Sequence, residues 1–482
     1  MFQIPVQLWY FEYRFTAFDF LQGDLTMDEN ETGPGKRRRL KISHILIILL
    51  LVGIGYFVFF RLSLKSKLQA RIDAIRAAGY PVTCIELDQW YKIPPDAENA
   101  AYTIEEAFSF YKTWDKEKSR SLPLIGSAEL PPRTEPLPAE MKTLVAEYIS
   151  DNNEALELFH KAAGIEHCRY PIDLSAGFAT LVPNLSEMRN AVRLLELEAV
   201  LHAENGDGPA ATLSAISSFG IARSLAKEPV TISQLVRSGC QNIAISTVEQ
   251  VVNRTELTDE QLIELIERVR ESERLSDISR AFVGERCVGI AFIRDPEGIY
   301  PGLMGGNIPV LVRPVLALYK SVGMAEADAI IYLDLMDGYM KSTRLPLHER
   351  QKAVDAVSAK IQSISKVHVL LHEIIPALSR VTTLELRTIA HLRTADAALA
   401  VQRYRLAAGK LPDKLANLVP TYLQSVPKDP FDGNELRYKK LETGFVVYSI
   451  GEDLSDEGGK EKPPRKIKGE PPKWDVTFIV ER

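Results

Sequence analysis

The sequence predicts a mainly α-helical protein that carries one transmembrane helix near its N-terminus and ends in a small α+β module. Three observations support this prediction. Residues 42–60 are an unbroken apolar stretch, apolar side chains then recur at three- and four-residue spacing up to about residue 375, and the last hundred residues change to short β-branched and aromatic runs. We therefore divide the chain into a cytoplasmic tail (1–41), a transmembrane helix (42–60), an irregular helical-hairpin ectodomain (66–375) and the α+β module (376–482).

Residues 42–60 have the length and composition of a membrane-spanning helix. At 1.5 Å per residue the helix is about 28 Å long, close to the roughly 30 Å of the hydrocarbon core. Its polar residues, Ser43 and His44, lie at the N-terminal edge, where the interface is near. No small-residue cleavage site follows, so we interpret the segment as a signal-anchor and not as a removed leader.

Basic residues on both flanks of this segment bear on its orientation. The N-terminal flank is denser in charge, which predicts a cytoplasmic N-terminus and a periplasmic or otherwise extracytoplasmic ectodomain at the cell (inner) membrane. The N-terminal cluster is Lys36, Arg37, Arg38, Arg39 and Lys41, against Arg61, Lys65, Lys67 and Arg71 on the other side.

The first 35 residues do not fit this plan well. Residues 1–25 are rich in aromatic side chains without a clear period. One interpretation is that translation starts at Met27 and that residues 1–26 are a misassigned extension. The alternative is a cytoplasmic interaction peptide.

Composition limits the partners. A net charge of −6 argues against a nucleic-acid binder, which needs a basic surface. The partners that we expect are the lipid bilayer and another protein of the envelope.

The chain has no C-x-x-C pair, and its cysteines are buried free thiols or, in an exported domain, up to two disulfides. These are Cys84, Cys168, Cys240 and Cys287.

Several helix boundaries can be read from local signals. Gly79 and Pro81 should end the helix that continues from the membrane segment. A tight turn at residues 205–208 should join two antiparallel helices, and Thr258, followed by the early acids Asp259 and Glu260, should cap the start of a further helix.

Beyond residue 408 the pattern becomes that of a small α+β module. A short helix is expected at 413–418, followed by strands at 434–441, 445–450 and 474–480. The first two strands flank a Glu-Thr-Gly turn and so predict a hairpin. A Lys/Pro-rich insert precedes the third strand.

This ordered set of segments resembles the globular domain of the major pseudopilin of type II secretion systems. The resemblance covers about 80 residues, in YRLAAGKLP (404–412), LVPTYLQSVPKDPFDG (418–433), LRY (436–438), FVVYSIGEDLSDEGG (445–459) and WDVTFIV (474–480). It implies a calcium ion held by Asp453 and Asp456 in the loop after the second strand and by Asp475 near the last strand. Mutual repulsion among the acids of this loop also favours a hard cation, and the alternative is a solvated acidic turn.

The chain departs from that family at its N-terminus. Phe15-Thr16-Ala17-Phe18-Asp19 only faintly matches a pseudopilin leader junction, and no apolar run follows it. A polymerising pilus subunit is therefore disfavoured. The module is better interpreted as reused at the end of an unrelated helical ectodomain.

No catalytic constellation is evident. His368 and His372, spaced i and i+4, would share one face of a helix and suit a metal, but no third ligand is apparent, and ordinary partly buried histidines are the alternative. The main hypothesis is a single-pass anchored protein with a binding or scaffolding ectodomain and without catalysis. The alternatives are an accessory component of a type II secretion or pilus-like system, and an envelope hydrolase built near the Gly-rich segment 294–312.

Overall fold

The computed structural model of the chain describes residues 36–93, 98–298, 312–375, 378–463 and 474–482, with side chains from residue 44 onward. The proposed start at Met27, the rest of residues 1–35 and most of the Gly-rich segment lie outside these residues. The described chain is 66% helical, with sixteen α-helices and one three-stranded antiparallel sheet near the C-terminus. The predicted fold class is confirmed.

Most of the described chain is taken up by these α-helices. They are α1 (Lys36–Ala77), α2 (Cys84–Trp90), α3 (Ala100–Phe110), α4 (Lys116–Arg120), α5 (Ala139–Asp151), α6 (Asn153–Gly164), α7 (Leu185–Glu204), α8 (Gly208–Arg223), α9 (Thr231–Arg254), α10 (Asp259–Arg274), α11 (Ser279–Arg294), α12 (Val312–Val322), α13 (Met324–Ser342), α14 (Leu347–Gln362), α15 (Val369–Ile374) and α16 (Leu378–Ala408). Short 3-10 turns cover Leu174–Ala179 and Leu415–Leu418, and the latter replaces the short helix predicted at 413–418.

Two compact units divide the chain, Met1–Phe60 and Arg61–Arg482. In the first unit, every large apolar side chain from Ile45 to Phe60 that is described is exposed. In the described residues, one helix, His44–Ala77, is long and apolar enough to cross a membrane. Further along the same helix, in the second unit, Ile72 is buried in the hydrophobic core.

In the second unit, the largest hydrophobic cluster of the described residues draws mainly on α7, α11 and α13. Helices α7, α8 and α9 also pack against one another. The tight turn predicted between α7 and α8 is present, and Gly206 in it has a φ of +74°, a conformation that favours glycine. The predicted cap of α10 is also present. Thr258 Oγ accepts a hydrogen bond from Gln261 N at 3.3 Å, and Gln261 Oε1 accepts one from Thr258 N at 2.9 Å. Local signals in the sequence therefore placed these boundaries correctly.

The C-terminal sheet consists of β1 (Arg437–Lys440), β2 (Phe445–Ser449) and β3 (Val476–Val480), in that spatial order. Both pairs are antiparallel, with Tyr438 opposite Val447 and Val447 opposite Phe478. Successive side chains of β2 point to opposite faces of the sheet. Val447 therefore packs in a core shared with α9, α10 and α16, and Val446 packs in a small cluster on the other face. The predicted hairpin and third strand are confirmed, with shorter strands than expected.

Strand β3 has a side-chain partner from helix α9 on its outer edge. Asn253 Nδ2 donates to Ile479 O at 2.8 Å, and Asn253 Oδ1 accepts from Glu481 N at 2.8 Å. The amide is thus bonded to one carbonyl of β3 and to the N–H of Glu481, which directly follows β3. This contact ties the helical part of the second unit to its sheet.

Candidate functional site

The acidic residues of the C-terminal module are organised by Asp429, which lies in the turn before β1. Its side chain is 1% exposed and accepts four hydrogen bonds. The donors are Phe431 N at 2.9 Å and Ser449 Oγ at 2.9 Å to one oxygen, and Arg437 Nη1 at 2.8 Å and Ile450 N at 3.0 Å to the other. Both oxygens of this buried carboxylate are therefore satisfied, as a buried charge requires.

Arg437 on β1 is the positive centre of this cluster. Besides Asp429 it binds Asp432 through Nη2, and its Nε lies 3.8 Å from a carboxylate oxygen of Asp456. Burial works against the charge, but the hydrogen bond to Asp432 and the surrounding carboxylates raise the pKa of Arg437. A guanidinium thus supplies the positive charge that this group of acids needs.

The three residues predicted to hold calcium each have local hydrogen bonds. Asp475 is buried and accepts from the backbone N–H groups of Glu457 (3.4 Å), Gly459 (2.7 Å) and Lys460 (3.2 Å). Asp453 is exposed and accepts from Ser455 N, and Asp456 accepts from Gly458 N. Burial raises the pKa of Asp475, against the three N–H donors, which lower it.

As placed, these residues do not assemble a cation site. Among the described residues no group of three or more His, Cys, Asp or Glu side chains is arranged to hold a metal ion. Three backbone N–H groups already bind Asp475, one to Oδ1 and two to Oδ2. The calcium ion therefore stays a prediction from the resemblance.

The sequence reasoning did not single out Asp429 or Arg437. The available signal was the turn Pro427-Lys428-Asp429-Pro430, because an Asp before Pro is typical of a turn in which the carboxylate binds nearby backbone N–H groups. Nothing local in the sequence marks Arg437 as the partner.

A serine, a histidine and a glutamate meet between α6, α7 and α8. His160 Nδ1 lies 2.8 Å from Ser217 Oγ, His160 Nε2 lies 2.9 Å from Glu198 Oε2, and Ser214 Oγ donates to the same oxygen at 2.7 Å. The set has the residue types of a hydrolase triad. However, Ser217 is 1% exposed. It lines neither the two cavities of about 10 and 20 Å³ next to Arg237 nor the cavity of about 450 Å³ next to Arg61. The arrangement joins three packed helices.

His368 and His372 do not form the helix-face pair that their spacing predicted. His368 is the N-cap of α15 and therefore precedes the helix. Its Nδ1 lies 2.6 Å from Oδ1 of Asp328, a fully buried side chain that also accepts from Tyr319 OH at 2.7 Å. The prediction of one shared face was wrong because α15 begins one residue too late to include His368.

The second unit also contains a buried polar cluster around Arg237 on α9. Burial lowers the pKa of Arg237 to about 10 and raises that of the neighbouring Glu385 to about 7. The cavities that the Arg237 side chain lines have volumes of about 10 and 20 Å³. Such volumes hold no more than a water molecule, so these groups are not accessible to an organic substrate.

All four cysteines are buried free thiols, as the first of the two interpretations predicted. Burial raises the pKa of Cys168 and of Cys240 to about 12. The thiolate, which is the reactive form, is therefore disfavoured at neutral pH.

No family model, curated protein or solved structure matches the chain.

Proposed function

We propose that the chain is a single-pass membrane-anchored envelope protein whose helical ectodomain serves binding or scaffolding and not catalysis. The observation that supports this proposal most directly is the exposed apolar part of α1. Its large apolar side chains between Ile45 and Phe60 are exposed among the residues that the structure describes, whereas the same helix is buried at Ile72. Such a run in water would be strongly unfavourable, and in hydrocarbon each Leu, Ile, Val or Phe contributes about −0.3 to −0.6 kcal/mol to insertion.

The orientation that we propose keeps the N-terminus in the cytoplasm and places the second unit outside it. Two of the four basic residues after the apolar run form ion pairs with acids of the second unit. Arg61 forms a bidentate ion pair with Glu326, at 2.7 and 2.9 Å, and Arg71 is paired with Asp334. Because these two arginines stabilise the fold, their presence does not by itself indicate a cytoplasmic C-terminal flank. The dense cluster at residues 36–41 then sets the orientation.

Binding, and not catalysis, is supported by where the reactive side chains lie. The Ser217–His160–Glu198 set and the His368–Asp328 pair bond helices to one another. The buried Arg237 cluster borders only water-sized cavities.

Cysteine labelling tests both the anchor and its orientation. Because all four native cysteines are buried, a single introduced surface cysteine should dominate the labelling of folded protein. We expect Ala146→Cys, on the exposed side of α5, to react with a membrane-impermeant maleimide in intact spheroplasts. The control is Asp28→Cys, which should react only after lysis. We also expect the protein to resist extraction by alkaline carbonate and to need detergent.

Two results would contradict this proposal. Release by carbonate would show that α1 does not span the membrane. Labelling at position 28 but not at 146 in intact spheroplasts would reverse the orientation.

The second candidate is an accessory component of a type II secretion or pilus-like system. It is favoured by the C-terminal module, where the long helix α16 packs on the antiparallel sheet beside β2 and β3 and an acidic loop follows β2. This candidate predicts that the full-length protein co-purifies with the secretion machine after mild detergent extraction. Purification without any component of that machine would remove it.

A further inference from the structure

A cavity of the second unit lies at the point where this unit begins. It has a volume of about 450 Å³ and is lined by side chains of α1, α11, α12 and α13. Four of the lining residues are basic, namely Arg61, Lys65, Arg294 and Lys320, and one is acidic, Glu326. The lining therefore carries a formal excess of positive charge. A cavity of this size can hold a small organic ligand or headgroup, for which volumes of roughly 300–1,000 Å³ are usual.

The acid in the cavity neutralises only one of the four cations. Glu326 is engaged by Arg61 through both carboxylate oxygens, and the two side chains are 18% and 17% exposed. Lys320 has an ion pair of 3.7 Å to Glu297, a separation too long for a hydrogen bond. The side chain of Arg294 has no hydrogen bond or ion pair to any residue that the structure describes. Positive charge thus remains available to an anion.

Chain connectivity fixes the depth of this cavity if residues 42–60 span the bilayer. Arg61 directly follows Phe60, and Lys65 lies four residues further along the same helix, about 7.5 Å beyond Phe60. The polar layer of a bilayer adds about 5–8 Å on each side of the hydrocarbon core. Arg61 and Lys65 therefore lie at the depth of lipid phosphate groups.

Helix α12, which contributes Lys320 to the cavity, has an apolar side that is exposed in the described part of the chain. Its exposed residues recur at spacings of three, three and four, so they form one stripe on the helix. They are Val312 (44% exposed), Val315 (64%), Leu318 (63%) and Val322 (36%). An amphipathic helix with cations beside such a stripe has the composition of a segment that lies in a membrane interface.

A close contact holds the end of α12 at the level of Arg61. Gly323, between α12 and α13, lies so near α1 that a Cβ atom there would meet the Arg61 guanidinium and lie 3.1 Å from Leu64 Cδ1. The C-terminal end of the stripe, at Val322, is therefore beside the first residue after the apolar run. The basic cavity and the apolar stripe belong to one corner of the second unit.

From this arrangement we propose that the cavity binds the phosphate headgroup of an anionic phospholipid, with the α12 stripe seated in the same leaflet. This inference rests on the proposed membrane anchor and goes beyond it. The occupant is assigned from the net positive lining, the depth set by Arg61 and the apolar stripe beside it. Basic pockets next to transmembrane helices bind anionic headgroups through the same chemistry.

The test uses the full-length protein in nanodiscs that contain equal amounts of phosphatidylglycerol and phosphatidylcholine. Lipids retained by the protein after gentle detergent release are counted by native mass spectrometry. We expect wild-type protein to retain phosphatidylglycerol selectively. Arg294→Gln with Lys320→Gln should reduce that selectivity by about 30-fold, because two cations near an anionic lipid contribute about 1 kcal/mol each.

The matched control removes two cations outside the cavity. Arg274 and Lys439 are exposed, and neither lines the cavity. Arg274→Gln with Lys439→Gln makes the same change in net charge and should retain the lipid as wild type does. Thermal unfolding of both double variants checks that they fold. Equal retention of the two lipids by wild type, or an equal loss in the control, would overturn the proposal.

Two further measurements distinguish a bound lipid from a soluble phosphate ion, and a seated stripe from one exposed to water. Millimolar inorganic phosphate should not displace the lipid, and complete displacement would identify a soluble phosphate ion as the occupant.

A spin label at Leu318→Cys should collide more with oxygen than with a water-soluble nickel chelate, whereas a label at Ala146→Cys should show the reverse. Identical behaviour of the two labels would contradict the seated stripe. Release of wild type by carbonate would instead remove the membrane anchor itself.

Discussion

At the scale of single residues, Asp429 is the side chain on which the C-terminal module most depends. Asp429→Ala would leave Arg437 without its buried partner and would strip Phe431 N, Ser449 Oγ and Ile450 N of their acceptor. Breaking a buried charge pair in this way costs about 3–5 kcal/mol. We expect a loss of that size in the free energy of unfolding, measured by chemical denaturation of detergent-solubilised protein.

The control for this change is Asp413→Ala, which removes another carboxylate paired with a basic residue of β1. Asp413 is fully exposed and binds Lys440 at the surface, so its removal should leave stability unchanged within error. If both variants were equally stable, the burial of Asp429 and its four donors would contribute nothing to the fold.

A second residue-scale prediction concerns Glu228, a fully buried carboxyl beside Ser233. Burial raises its pKa from 4.5 to about 7, while one of its oxygens has no hydrogen-bond partner among the described residues. Because the folded state then holds a proton that the unfolded state has lost, this group lowers stability as pH rises from about 4.5 to about 7. A shift of this size corresponds to roughly 3 kcal/mol.

Glu228→Gln removes this contribution. Relative to wild type, we expect the variant to gain stability as pH rises from 5 to 7 and to keep that gain above pH 7. Thermal unfolding of the solubilised protein across this range measures the difference. Glu147→Gln, which changes a half-exposed glutamate on α5, should run parallel to wild type. A Glu228→Gln curve parallel to wild type would show that Glu228 is already ionised in the fold at pH 5.

At the scale of elements, substitutions at two glycines distinguish the free-energy cost of a strained backbone conformation from the cost of a steric clash. Gly206 and Gly323 both have positive φ, of +74° and +93°. A Cβ atom at Gly206 meets nothing within 4 Å, whereas one at Gly323 meets Arg61. Gly206→Ala should therefore cost only the conformational penalty, about 1 kcal/mol, and Gly323→Ala should cost more because the Arg61 guanidinium must also shift, which disturbs its ion pair with Glu326.

Hydrogen exchange can locate this effect. In Gly323→Ala we expect faster exchange at the start of α13, where Glu326 binds Arg61. In Gly206→Ala the same amides should exchange as in wild type. Equal exchange at α13 in the two variants would mean that α1 and α13 accommodate the added methyl group without separating.

At the scale of the whole molecule, the sequence predicted correctly those features that depend on residues close together in the chain. The apolar stretch in α1, the turn at Gly206, the cap at Thr258 and the hairpin of the sheet each follow from residues a few positions apart. Their energetics are local, so hydrophobic spacing and turn chemistry suffice to place them.

The side-chain partners could not be predicted in the same way. Arg61 binds Glu326, 265 residues away, and His391 lies 2.9 Å from Asn242, 149 residues away. Such pairs depend on how helices pack, and one helix offers several acids that are equivalent in sequence. The same reason applies to His368. Its spacing in the sequence predicts a pair with His372, four residues along, whereas in the structure its partner is Asp328 on α13. Long-range packing therefore decided the chemistry of each cluster.

The Asn253 contact on β3 has a consequence for association between molecules. An edge strand with free backbone groups is a template for pairing with a strand of another chain, and it is a common starting point for aggregation. Asn253 binds the outward carbonyl of Ile479 and the outward N–H of Glu481, so the exposed ladder on that side is interrupted by a side chain from α9. The sheet is thereby protected at β3 from growing by strand addition, even at a high local concentration of the protein.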